Sequence, residues 1–325
     1  MATIKDIAKE AGVSVTSVSR VLNNRGYLSE DLKDSVYRAM ARLDYRPNEM
    51  ARALQKQKTF LVGVIVPDVS HPFFAQWTKV VEQRLSKAGY KLILCNSHHE
   101  AEKEQDYVDM LRGSRVDGLL FASHTNVIYD TSALDRPVVS FERDLGAGVP
   151  RVTSDHWQGG ECAAVHLVEK GCRHVLITGG HPETAVAGEV RYEAAKRYFD
   201  RHGVTYRHIH GDTHILKLEH VKEDVAGALR EGTFDGVFAG SDLLASMTLQ
   251  QAFTQSIRVP EALKIVGYDG TEAAAYAPFP VTTVVQPVVK LAETCVALLI
   301  AQMEGKKPDA RAEPLPVTLR QGMTT

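Results

Sequence analysis

Only four cysteines occur in the 325 residues, and Cys95, Cys162, Cys172 and Cys295 stand far apart with no Cys-x-x-Cys pair. That spacing argues against a disulfide framework and a cysteine-ligated zinc site, and predicts buried free thiols. No apolar run approaches the ~20 residues needed to cross a bilayer. The opening MATIKDIAKEAG is charged and helical where a secretory leader would be apolar. The expectation is a cytoplasmic protein with no membrane partner. Enzyme signatures are absent as well: there is no Gly-x-Ser-x-Gly elbow, P-loop, Gly-x-Gly-x-x-Gly after a strand, or His-Glu-x-x-His, and His98 and His99 lack partners at ligand spacing. The chain is therefore read as a non-enzyme that needs no metal and no cofactor.

What is present is an ordinary globular composition, 44% hydrophobic and 24% charged, with room for one small domain and one large or bilobed one. Charge is unevenly divided. Up to Lys58 there are 11 Lys and Arg against 7 Asp and Glu, a net +4, and the remainder carries −6 to reach the overall −2. An anionic partner for the first segment would explain this, as would a solvated helical surface.

Residues 3 to 46 read as three short helices. Ile4, Ile7, Ala8 and Ala11 have helical spacing, and Gly12 to Ser14 break the run. A second helix from about Val15 to Leu22 buries Val18, Val21 and Leu22, and a third starting at Ser29 and Glu30 buries Leu32, Val36, Ala39, Met40 and Leu43. The polar, basic stretch Arg46 to Lys58 looks like a linker able to become helical from Asn48. From Phe60 the texture changes to near-continuous apolar strands alternating with helices, which is the signature of parallel sheets covered on both faces. About ten strands are too many for one tidy layer, so two doubly wound α/β lobes are inferred, with ligands expected beyond the carboxyl ends of the strands.

IKDIAKEAGVSVTSVSRVL has the internal logic of a helix-turn-helix: Ala8 is small where helices cross, Gly12 can take the turn, and Val18 fills the space between. The second helix can then present Val15 and Thr16 to base edges in the major groove, with Arg20 one turn later able to grip a guanine. The same spacing would suit an unrelated helical bundle.

TIKDIAKEAGVSVTSVSRVLN followed by YRPNEMARAL resembles the DNA-binding headpiece and hinge of the lactose-repressor (LacI/GalR) family, and the likeness extends over essentially the whole chain. It implies an all-α helix-turn-helix domain at 1–46, a hinge at 47–58, and a periplasmic-binding-protein-like sugar-binding and dimerisation domain at 59–325. The lobes would span about 59–157 with 287–316, and 158–286 with 317–325. It implies phosphate contacts from Thr3, Ser14, Ser17, Asn23, Tyr45 and Asn48, and base contacts from Val15, Thr16 and Arg20. Residues Asn48 to Gln55, with Arg52 and Gln55 on the DNA side, would fold in the minor groove, and Leu54 would act as the apolar wedge unless it is an ordinary helix contact. A homodimer on near-palindromic double-stranded operator DNA follows from symmetry.

Phe73 and Phe74 in VPDVSHPFFAQW follow a strand's carboxyl end, where aromatics suit the apolar face of a sugar ring. A lone pair of Phe would be better explained by core packing, but the segment resembles the ring-stacking loop of pentose- and hexose-binding proteins, which makes the two rings candidates for the floor of the pocket. Polar groups fall at matching strand ends: Glu142 and Arg143, Arg191, Ser241 and Asp242, Asp269, and Gln286. The resemblance makes Arg143, Arg191, Asp269 and Gln286 the principal hydroxyl ligands of a small sugar effector, with His71 and Ser241 secondary. Ser241 departs from the asparagine of many relatives. Asp242 and Asp155 are expected to cap the helices they precede. Strings such as GYLSE, KEQDYVDML, SFERDL, VTSDHWQGG and LPVTLRQG resemble sucrose-operon repressors of Gram-positive bacteria, while MATIKD, PNEMARAL and HPFF are shared with ribose-operon repressors. Two rival classes remain at this point: an enzyme on a doubly wound sheet, and a sugar-binding protein that does not bind DNA.

Overall fold

The computed structural model describes residues 2–23, 25–45, 58–123, 125, 135–146, 148–180, 187–211, 218–307 and 313–325. They fall into two compact units, Met1–Thr59 and Phe60–Thr325. The expected hinge contacts Asn48, Arg52, Leu54 and Gln55 lie outside the described residues.

In the first unit, α1 (Ile4–Ala11) begins with a capping box. Asp6 N–H donates to the Thr3 hydroxyl, and Thr3 N–H donates to the Asp6 carboxylate. Gly12 ends the helix at φ 68°, a left-handed conformation that costs glycine nothing. Ser14 caps α2 (Val15–Leu22) and Ser29 caps α3 (Glu30–Arg42). Ile7, Ala8, Val18, Val21, Val36 and Ala39 form one buried cluster, so the three amphipathic stripes meet as their spacing predicts.

The second unit contains two sheets. The first has the order β2-β1-β3-β4-β5, all parallel, from β1 (Leu61–Val66), β2 (Lys91–Asn96), β3 (Gly118–Phe121), β4 (Val138–Phe141) and β5 (Arg151–Val152). One face is covered by α4 (Pro72–Lys87) and α11 (Val288–Met303), through Trp77, Val81, Leu85, Leu291, Cys295 and Leu299. The opposite face is covered by α5 (Ala101–Gly113) through Val108 and Leu111. The second sheet runs β11-β10-β9-β8-β6-β7, from β6 (His174–Thr178), β7 (Thr205–Ile209), β8 (Gly236–Ala239), β9 (Lys264–Asp269), β10 (Thr282–Val285) and β11 (Thr318–Arg320). All its pairings are parallel except β11 against β10, an antiparallel edge. Its faces are covered by α6 (His156–Glu169) with α7 (Val190–Arg201), and by α8 (Leu218–Arg230) with α9 (Asp242–Thr254). A short helix, α10 (Glu272–Ala275), follows β9. Central strands such as β3 and β8 are buried along their whole length, which is why they read as unbroken apolar runs.

The chain passes from the first sheet to the second after β5, returns with α11 after β10, and passes over again before β11. Among the described residues no helix is long and apolar enough to cross a membrane. Cys95, Cys172 and Cys295 are buried free thiols as expected, whereas Cys162 is only partly buried. Burial pushes Cys95 and Cys172 up to about 11, which keeps them protonated and poorly nucleophilic.

Candidate functional site

On the DNA-reading unit, Val15, Thr16 and Arg20 are exposed on α2, with Val15 at 45% exposure despite its apolar side chain. An exposed β-branched residue at the first position of a helix is a poor core element and a suitable contact for a thymine methyl. Arg20 donates through Nε to Arg25 O (3.3 Å) and through Nη2 to Tyr27 O (3.4 Å), which holds the guanidinium against the turn after α2. The expected phosphate-contacting hydroxyls serve the helix ends as well. Thr3 belongs to the capping box, and Ser14 accepts from Ser17 N–H (3.0 Å) and is linked to Ser17 Oγ (2.9 Å). Asn23 Nδ2 donates to Ser19 O (2.9 Å), and Tyr45 packs against the helical core.

In the larger unit the functional groups converge where strand ends of the two sheets meet. Glu142, just after β4, is 5% exposed and has φ 68°, and Asp269, the last residue of β9, has φ 106°. A non-glycine residue in this region costs about 1–3 kcal/mol and persists only where its surroundings hold it. Glu142 is held firmly: Thr153 Oγ1 and Ser154 N–H donate to its carboxylate, and His156 Nε2 lies 2.6 Å from Oε2. His156 Nδ1 lies 2.9 Å from the Tyr268 hydroxyl on β9. Burial pushes Tyr268 up, so its hydroxyl stays protonated and donates to Nδ1, leaving Nε2–H to donate to Glu142. Burial lowers His156, in spite of the neighbouring carboxylate, and this favours the neutral ring the two bonds require. Burial alone would raise Glu142, but His156, Arg191 and the Ser154 N–H together bring it below its ordinary value.

Arg191, near the start of α7, lies with its guanidinium 4.0 Å from the centre of the Tyr268 ring. Its Nε donates to Gly188 O (2.7 Å) and its Nη1 to Gly240 O (2.9 Å). Gln286 spans the crossover after β10, donating from Nε2 to Asp269 Oδ1 (2.8 Å) and accepting from Ser154 Oγ (2.8 Å). The Glu142 main-chain carbonyl accepts from Ala187 N–H (3.2 Å), a direct link between the lobes. Burial, and then Asp242, push Asp269 well above the usual carboxylate range, while Arg191 and Gln286 pull it back.

Several buried side-chain atoms without a protein partner lie at or just after the carboxyl ends of strands. Among the described residues they include His71 Nδ1 after β1, Asn96 Oδ1 at the end of β2, Thr178 Oγ1 at the end of β6 and Asp269 Oδ2 at the end of β9. Orphaned buried polar atoms are costly, and their collection at the carboxyl ends of parallel strands is what a polar ligand site requires. His71 opens α4 with no side-chain cap, and burial lowers it to about 4, so its imidazole is neutral at physiological pH.

Glu142, Arg191, Asp269 and Gln286 thus come together, and after burial the nearby Arg191 charge also helps to keep the His71 ring neutral. Phe73 and Phe74 do not form an open floor. They are 4% and 6% exposed, pack edge to face, and Phe73 stacks on Phe141 within the core. Arg143 Nη1 donates to Glu104 (2.8 Å) and Thr125 (3.1 Å) in a buried ion pair of the first lobe. The expectation for Asp242 is corrected: Ser241 Oγ caps α9 by accepting from Leu244 N–H, while the Asp242 carboxylate accepts from Thr271 N–H, Thr271 Oγ1 and Thr283 Oγ1. Asp155 does cap α6. The sequence reading missed His156, Tyr268, Ser154 and Glu104. A clue to His156 was its place at the start of a helix immediately after a strand, beside the capping Asp155.

Residues 3–48 match the family described as "Bacterial regulatory proteins, lacI family", and residues 164–325 match the "Periplasmic binding protein-like domain". A sucrose operon repressor of Streptococcus mutans is 37% identical, covering 99% of both chains. This chain belongs to the LacI family. A ribose operon repressor of Halalkalibacterium halodurans is 35% identical, over 100% of this chain and 97% of that one. Among solved structures, the lac repressor dimer bound to operator and the anti-inducer ONPF superposes with a TM-score of 0.85 at 24% identity, covering 99% of this chain and 98% of that one. A LacI-type regulator from Alkaliphilus metalliredigens complexed with D-xylulofuranose gives 0.76 at 30% identity, covering 82% and 98%. This LacI-family member is a DNA-binding transcriptional repressor and not an enzyme.

Proposed function

We propose that this repressor controls a sugar-utilisation operon and is released from its operator by a sugar, sucrose or another fructose-containing one, bound between the two lobes. The observation that carries the reading is the convergence of Glu142, Asp269 and Gln286, buried at strand ends drawn from both sheets, with the half-buried Arg191 at the start of α7. Carboxylates, a guanidinium and an amide are the groups that pair with neighbouring hydroxyls of a polyol. Because they belong to both lobes, a sugar touching all of them favours one lobe arrangement over another, and only such differential affinity can change DNA binding. Sucrose is favoured by the relatives of this name at 37% and 38% identity. Two copies would place two headpieces on a near-palindromic operator, with Val15, Thr16 and Arg20 of each reading bases and Thr3, Ser14, Ser17, Asn23 and Tyr45 set near phosphates.

The test is a thermal-shift titration with sucrose, fructose and ribose, joined to operator binding in the presence of whichever sugar raises the melting temperature. A sucrose or fructose shift with weakened operator binding is expected. A shift with ribose alone would move the assignment to ribose control, the second reading, which the 35% identical ribose operon repressor favours. An effector that tightened operator binding would reverse the proposed sign.

A further inference from the structure

Outside the cleft, α6 and α7 enclose a second pocket of about 210 Å³, lined by Trp157, Glu161, Ala194, Arg197, Tyr198 and Arg201. Its walls follow from helical spacing. Trp157 and Glu161 stand four apart on α6, and Ala194, Arg197, Tyr198 and Arg201 recur at intervals of three and four on α7, so each helix turns one stripe toward the pocket. Ala194 is small and buried, which leaves space between the longer side chains. Trp157 is 41% exposed, with the Arg197 guanidinium 5.8 Å from its ring centre. One face of the half-buried Tyr198 ring is covered by His202, stacked at 4.0 Å.

Neighbouring charges on α7 are matched, whereas those of the pocket are not. Lys196 pairs with Glu193, and the Tyr206 hydroxyl bonds to Asp200. Among the described residues no carboxylate forms an ion pair with Arg197 or Arg201, and no cation forms one with Glu161. Like charges four apart on a helix repel, and an anion between them removes that repulsion. Guanidinium groups take phosphate oxygens in paired hydrogen bonds. A bare phosphate or an acidic peptide would use the two arginines, but it would meet the Glu161 carboxylate as a like charge. That carboxylate instead suits two adjacent hydroxyls, such as those of a ribose, because it only accepts hydrogen bonds. An exposed indole offers a face on which a nucleic-acid base stacks. One compact class of ligand carries a flat ring, adjacent hydroxyls and a phosphate together.

We infer that this pocket is a second ligand site, separate from the cleft between the lobes, for a nucleoside monophosphate: the base stacks on Trp157, the ribose hydroxyls donate to Glu161, and Arg197 and Arg201 hold the phosphate. The full chain is titrated by calorimetry with AMP, GMP, CMP and UMP, and with their nucleosides, inorganic phosphate and a phosphoserine peptide for comparison. The titrations are repeated with Trp157→Ala, with Glu161→Gln, and with Arg197→Gln and Arg201→Gln together. These side chains are exposed, so the fold should tolerate the changes. At least one monophosphate is expected to bind with a Kd below about 1 mM, and its nucleoside and inorganic phosphate at least about 10-fold more weakly. Each of the three variants should weaken that monophosphate by about 10-fold or more. Absence of monophosphate binding up to about 10 mM would overturn the inference, as would binding that any of the three variants left at wild-type strength. Inorganic phosphate bound as tightly as the nucleotides would reduce the pocket to a simple anion site, and a phosphoserine peptide bound more tightly than all of them would make it a protein-docking surface. Either result overturns the inference. Nucleotide binding lost in Asp269→Asn and kept in the double arginine variant would place the nucleotide in the cleft and overturn it too.

Discussion

Arg20 is exposed and tethered by two long hydrogen bonds to the turn that follows its helix, so its removal should cost the fold little. If it grips a guanine, Arg20→Ala should weaken operator binding by about 1–3 kcal/mol and relax preference at one base pair of each half-site. An equal loss on operator and random DNA, measured by anisotropy, would assign it to the phosphates instead. His71 makes a prediction about pH. Its folded value of about 4 lies below the ordinary 6.5, so the unfolded chain takes up the proton first as pH falls. The stabilisation is complete above the unfolded value and is lost as pH drops toward the folded one, amounting to about 1–2 kcal/mol at pH 5. Urea melts at pH 7 and pH 5 should show that loss in the wild type and a flatter slope in His71→Gln. An unchanged slope would remove His71 from the account of acid sensitivity.

At the scale of elements, the position of α6 depends on two glycines in its first turns. A Cβ on Gly159 would strike the Tyr268 ring, and one on Gly160 would strike the main chain of Arg191. The closeness of α6 to α7 and β9 is therefore part of what holds His156, Tyr268 and Arg191 in one network. Alanine ordinarily stabilises a helix relative to glycine by up to about 1 kcal/mol. Here the collision is with backbone, which has no rotamer to yield, so Gly160→Ala should destabilise by about 1–3 kcal/mol and weaken effector binding as well. Gly113, at the end of α5 with open space around its Cβ direction, is the control. Gly113→Ala should leave melting temperature and effector affinity near wild type, and equal effects of the two substitutions would refute the packing argument.

For the whole molecule, the charge division separates two kinds of binding. The first 58 residues carry net +4, whereas Glu142, Asp269 and Gln286 are buried and Arg191 is half-buried. Operator affinity should therefore fall by about 1000-fold or more between 50 and 200 mM salt, while effector affinity changes little. A shallow salt dependence for operator binding would mean few phosphate contacts. The headpiece was legible before any coordinates, because caps, glycine turn and apolar stripe are local devices whose spacing along the chain equals their spacing on a helix. The alternation of buried strands and helices likewise announced two doubly wound sheets, and the strand ends marked Glu142, Asp269 and Gln286. Hidden from that reading were the partners that side chains find across long separations. Glu104 claims Arg143, His156 joins Glu142 to Tyr268, Ser241 rather than Asp242 caps α9, and Phe73 turns into the core. Residue type and period are properties of the chain and determine which elements form and which face they bury. Which carboxylate meets which cation depends on the register of two sheets joined by three crossings, and only the folded arrangement decides that.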